Sequence, residues 1–161
     1  MGLLNNIDKF SYGLSVGYVN YNTVNKDVSL EVSLSVDNEE HVNVITRIDI
    51  ISKDKKMSTI EEKCIDDLML IEWSVREDKI IVLLNSVYHF YYSNESKINI
   101  NDLSDLLHFA VKIFFEWIVV DGTFSDFLIN FRRFTVLSMP CTELQIALYD
   151  EMITYFSERG L

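Results

Sequence analysis

Strict alternation marks the clearest strand in the chain. Val28, Leu30, Val32, Leu34 and Val36 fall on one face, and Ser29, Glu31, Ser33 and Ser35 on the other. Asp37-Asn38-Glu39-Glu40 breaks that run with turn-forming and charged residues, and His41 to Ser52 resumes it through Val42, Val44, Ile48 and Ile50. The two runs predict an antiparallel hairpin. Upstream, Phe10 to Tyr21 carries Tyr12, Leu14, Val16 and Tyr18 around Gly13 and Gly17, the pattern of a loosely specified first strand. Lys53-Asp54-Lys55-Lys56 opens a charged connection that continues through Glu61, Glu62 and Lys63, and Asp66-Asp67 leads into an apolar segment, Leu68 to Val75. Ile80 to Tyr92 is apolar on both faces of a period-two pattern, with Ile80, Val82, Leu84, Tyr88 and Phe90 opposite Ile81, Leu83, Val87 and Tyr91. A strand of that kind needs cover on two sides, which predicts a central position in the sheet.

The second half reads as helix. Asn101-Asp102 offers an N-cap for Leu103 to Val120, and Gly122 suits the left-handed position after its end. Leu106, Leu107, Phe109, Ala110, Val111, Ile113, Phe114, Phe115, Trp117, Ile118, Val119 and Val120 nearly encircle the axis, leaving His108, Lys112 and Glu116 as one narrow polar stripe. Such a helix spans a membrane, sits at the centre of a large domain, or lies between a sheet and a partner subunit. The regularly placed polar stripe makes a span costly and the chain is too short to surround one helix, so burial against a second copy is expected. Phe109, Ile113, Phe114 and Trp117 are then the candidate oligomer interface. Thr123 to Phe131 gives no decisive period, and Phe134 to Leu137 suits a short strand. After Pro140, Leu144, Leu148, Met152, Tyr155 and Phe156 form one stripe against Glu143, Gln145, Asp150, Glu151 and Glu158, an amphipathic terminal helix. No repeat or linker divides the chain. The expectation is one α+β domain over 1–161, an antiparallel sheet of about four strands followed by a long buried helix and a C-terminal amphipathic helix.

Composition adds limits. The 161 residues are 48% hydrophobic and 12% aromatic with a single proline, which excludes a disordered chain. A formal charge of −11 supplies no basic stripe for phosphate, so no nucleic-acid partner is expected. Cys64 and Cys141 are too few for a disulfide framework and too far apart for a redox or zinc pair, and read as two buried free thiols. Met1 to Asp8 lacks the charged and apolar regions of a secretory signal, which predicts a cytoplasmic protein.

The search for chemistry is largely negative. There is no glycine-rich phosphate loop and no HExxH or GxSxG motif, so no catalytic residue, cofactor or metal is assigned and an enzyme is not expected. His41, His89 and His108 lie on three different elements. The pairs Glu61/Glu62 and Asp66/Asp67 read as solvated carboxylates, and Arg132-Arg133 as a solvated pair rather than a phosphate site. What remains is an excess of apolar and aromatic residues on an acidic background, which a groove or a subunit interface would absorb.

The order of elements, and above all the stretch from Leu107 to Leu128 where the long helix runs into Asp121-Gly122-Thr123-Phe124, resembles the export chaperone SecB and its relatives. The resemblance implies a four-stranded antiparallel sheet with two helices and a homotetramer built as a dimer of dimers around the long helices. It also implies non-enzymatic binding of unfolded or nascent polypeptide clients in apolar grooves. Ile81, Leu83, Val87, Tyr91, Phe124 and Phe127 would line the groove. The chain departs from the family in carrying Ser125-Asp126-Phe127-Leu128-Ile129-Asn130 in place of a proline-bearing loop, and in lacking a charged tail after its last helix. The alternative is a small acidic immunity or inhibitor protein whose charge steers it to one basic protein target.

Overall fold

The alternating run forms a strand because its two faces meet different surroundings. Val28, Leu30, Val32 and Leu34 are fully buried, whereas Ser29, Glu31 and Ser33 are half-buried. In the computed structural model, which describes residues 7–13, 18–24, 27–36, 42–51, 56–65, 76, 78–138 and 142–161, this run is β3 (Val28–Val36). The hairpin partner is β4 (Val42–Ile50), antiparallel to it as expected. Their register sets Val28 opposite Ile50, Leu30 opposite Ile48, Val32 opposite Thr46 and Leu34 opposite Val44. Every one of these residues faces the buried side, so a one-residue slip would turn the whole apolar set to solvent.

The protein is α+β, and among the described residues its sheet is an antiparallel meander of five strands in sequence order, where about four were expected. The segment read as a single first strand is a hairpin, β1 (Ile7–Gly13) paired with β2 (Tyr18–Val24), which in turn pairs with β3. The charged connection around Glu61 is β5 (Met57–Ile65), an edge strand on β4. Its side chains hide the strand pattern: Glu61 and Lys63 stand opposite Thr46 and Val44 on the face that is apolar in β3. Charged residues on that face, Glu61 exposed and Lys63 half-buried, are a usual feature of edge strands, where backbone pairing to one neighbour replaces two-sided packing. Cys64 lies on β5 and is exposed, contrary to the expected buried thiol.

Contacts divide the backbone into two compact units, Met1–Glu77 with the sheet and Asp78–Leu161 with four helices. A helix, α1 (Lys79–Ser93), replaces the expected central strand at 80–92. Its buried residues Ile80, Leu83, Leu84, Val87, Tyr88 and Tyr91 recur at three- and four-residue intervals, which is helical spacing. The rich content of β-branched and aromatic residues favours a strand locally, and packing on other helices overrides it.

The long helix and the amphipathic terminal helix are present. The former, α2 (Ile100–Trp117), starts three residues earlier than expected because Asn99 is the N-cap. The Asn99 side chain accepts from the backbone N–H of Asn101 (3.0 Å) and Asp102 (3.1 Å), and Asp102 accepts in return from the Asn99 N–H (3.2 Å). The helix stops at Trp117, so Val119 and Val120 are exposed and Gly122, with φ 108°, sits in the following turn rather than directly after the helix. The segment without a decisive period, together with the expected strand at 134–137, is one helix, α3 (Phe124–Ser138). The last helix, α4 (Glu143–Ser157), is capped reciprocally by Thr142 and Gln145 at 3.1 Å each way. Leu148, Met152 and Phe156 form its buried stripe as expected, and Tyr149 joins them.

Among the described residues no helix is long and apolar enough to cross a membrane. The expected turn at 37–40, His41, Asp66 and Asp67, the segment 68–75, Pro140 and Cys141 lie outside the described residues, as do the side chains of Arg132 and Arg133.

Candidate functional site

Phe124 and Phe127, two of the six residues expected in the groove, lie in an aromatic cluster of the helical unit. Phe124, at the start of α3, meets four rings: Phe156 at 4.6 Å between centroids, Trp117 at 4.9 Å, Phe127 at 6.2 Å and Phe114 at 6.3 Å. Most of these contacts are tilted or edge-to-face, the favourable arrangement for aromatic quadrupoles. The indole N–H of Trp117 donates to the Gly122 carbonyl at 3.3 Å and fixes the turn between α2 and α3. A row of rings continues outward, with Phe127 stacked on Phe131 (5.2 Å), Phe131 near Tyr149 (6.4 Å) and Phe109 edge-on to Tyr149 (5.2 Å).

This arrangement redistributes the candidates. Phe114 and Trp117, expected at an oligomer interface, share one cluster with Phe124 and Phe127, expected in a client groove. Ile113, Phe114 and Trp117 are buried within the single chain, and only Phe109 is half-buried. A second copy is therefore not required to cover the long helix, which was the physical reason for expecting one. The polar stripe also differs: His108 is buried, and Phe109 stands with exposed Asp105 and Lys112 and half-buried Glu116 on the open side. On α1, Leu83, Val87 and Tyr91 are spaced four apart on one buried face. Ile81 is half-buried and leaves that set, because residues two apart share a face only in a strand. Of the proposed groove residues, Ile81 and Phe127 alone are partly open.

Sequence reasoning did not select Phe131, Tyr149 or Phe156 as members of the cluster. The four-residue spacing of Phe127 and Phe131 was the available signal, and it becomes visible only once 124–138 is read as a helix.

One polar group stands on the surface of the same unit. His89 Nδ1 of α1 lies 2.7 Å from Glu151 Oε1 of α4, and the His89 ring is 6.0 Å from that of Tyr155. The Arg159 guanidinium covers the Tyr155 ring at 3.4 Å and donates to the Tyr155 carbonyl at 2.8 Å. The His89 side chain is 56% exposed, so the group ties two helices together at the surface rather than forming a desolvated acid–base pair. Among the described residues no three His, Cys, Asp or Glu side chains gather where they could hold a metal ion.

No protein-family model, curated protein or solved structure matches the chain. Acidic residues outnumber basic ones in both units, and Asp105, Asp121, Asp126, Glu143, Asp150 and Glu158 are exposed on the helical one. The large exposed apolar residues among those described, Ile51, Ile60, Val119, Val120 and Ile129, are distributed over several elements. Single exposed apolar residues of this kind are ordinary.

Proposed function

We infer that the protein is a non-enzymatic binding protein that docks one basic protein target through its acidic surface, as an immunity or inhibitor protein does. The observation that carries this reading is the burial of Phe114, Trp117 and Phe124 within one chain. With the apolar candidates occupied by one another, the −11 charge is the feature of the molecule with reach beyond its own surface. A charge of that size accelerates encounter with an oppositely charged partner and fixes orientation, more than it adds affinity. The reading includes a cytoplasmic location and no nucleic-acid partner.

A SecB-like holding function for unfolded or nascent clients is the second reading. It is favoured by α2 turning through Asp121-Gly122-Thr123 into Phe124, the stretch in which the resemblance is specific, and by the partly open row of Phe109, Phe127 and Phe131. Against it stands the element order, since among the described residues five strands and then four helices replace the four strands and two helices that the resemblance implies.

An aggregation assay with a chemically unfolded polypeptide separates the two, run beside capture of partners from lysate at low and at several-fold higher ionic strength. The single-target reading expects no suppression of aggregation and one basic protein whose retention falls as salt rises. Stoichiometric suppression, insensitive to salt, would overturn it in favour of the chaperone.

A further inference from the structure

The chain's last residues close onto the start of α3. Beyond α4 the Leu161 N–H donates to the Phe156 carbonyl (3.0 Å) and the Gly160 N–H to the Ser157 carbonyl (3.1 Å), with Gly160 at φ 70°. These two bonds and the left-handed glycine make a Schellman motif, which reverses the chain at a helix end. The reversal brings the Leu161 carbonyl to α3, where it accepts from the N–H of Phe124 (2.8 Å) and Ser125 (3.5 Å). Asp126 N–H is met by Thr123 Oγ1 at 3.2 Å. Two donors that a helix N-terminus ordinarily leaves open are thus satisfied by a residue from the far end of the unit.

Within the helical unit the body of α3 packs on α4, and its ring contacts with α2 are made by Phe124, in its first turn. The turn at 118–123 that joins it to α2 is exposed from Val119 onward, and a side chain at Gly122 would meet nothing within 4 Å. A helix whose body packs on α4, whose contact with α2 is confined to the rings met by its first turn, and which is entered by an open turn has the features of a separate opening unit.

We propose that residues 158–161 are a latch on α3. With the Leu161–Phe124 bond made, Phe124 and Leu128 are fully buried; with the bond broken, α3 moves on the 118–123 turn while α1 and α2 stay folded. Opening uncovers Phe124, Leu128 and the faces of Trp117 and Phe156 that Phe124 covers, an apolar surface absent from the closed form. This device is independent of which partner the closed form binds.

Residue-resolved native-state hydrogen exchange on the full chain tests it. In the unmodified protein, amides in the body of α3 exchange through an opening with weaker denaturant dependence than that of Val111 to Phe115 in α2. Equal dependence in the two helices overturns the latch. Gly160→Val strains the left-handed position without a steric clash and is expected to speed α3 exchange on the order of tenfold, leaving α2 unchanged. Gly160→Asn, which tolerates that conformation, returns α3 close to the original rate. A Gly160→Val protein whose α2 and α3 accelerate together, or neither at all, refutes the proposal.

Discussion

Phe124 shows how a single residue changes its role once its surroundings are known. As part of an exposed groove, its removal together with Phe127 would weaken client binding and leave the fold intact. At 0% exposure among four rings it is a core residue instead. Phe124→Ala is therefore expected to cost about 3–5 kcal/mol, since the removed ring leaves a cavity that the flanking side chains only partly fill. Phe127→Ala, at a half-buried site, is expected to cost less than half as much. Urea unfolding of the two variants measures both, and similar small losses would mean that Phe124 is open. At this scale the sequence singled out Phe114, Trp117, Phe124 and Phe127 but not their company. Phe156, Trp117 and Phe124 come from three helices, and no local pattern reports which rings will meet.

Elements were legible in proportion to how one-sided their surroundings are. β3 and β4 were readable because each has one buried face and one open face, which writes the period of two directly into the sequence. β5 was not, because Glu61 and Lys63 stand opposite Thr46 and Val44 and an edge strand requires no continuous apolar face. α1 is ambiguous for the opposite reason: so many of its positions are apolar that a period of two and one of 3.6 can both be traced through it. Adjacent residues separate the two descriptions. Ile80 is fully buried and Ile81 only half-buried, so Ile80→Ala is expected to lose about 2–5 kcal/mol and Ile81→Ala distinctly less. Further along, Leu83→Ala should resemble Ile80→Ala, although a strand would put positions 80 and 83 on opposite faces. Denaturation midpoints for the three variants give the answer, and a loss at Ile81 equal to that at Leu83 would restore the strand.

Whole-molecule properties follow from the sum of charge and the self-sufficiency of the helical core. The expectation of a second copy came from α2, whose apolar girth exceeds what an amphipathic helix presents to one neighbour. That surplus is real, but α1 and α4 pack against α2, and Phe124 of α3 closes over its C-terminal end. Sequence periodicity measures how much of a helix must be covered and not what covers it. With that demand met inside the chain, light scattering is expected to give a native mass near 18.8 kDa at both low and high salt. The charge then acts on each molecule alone. At −11, exposed carboxylates repel one another more in the compact state than in the expanded unfolded chain, and added salt shortens the range of that repulsion from ~30 Å at 0.01 M to ~8 Å at 0.15 M. Thermal midpoint should therefore rise over this range of sodium chloride at constant pH. The surface pairs Arg47–Asp49 (3.1 Å) and Lys79–Asp78 (3.0 Å) oppose the trend only weakly, because exposed pairs of this kind contribute about 0–1 kcal/mol and salt screens them too. A midpoint that falls with salt would mean that attraction outweighs repulsion across the acidic surface. In that case the carboxylates would be engaged with the protein's own cations, and the charge would no longer be free to steer a basic partner.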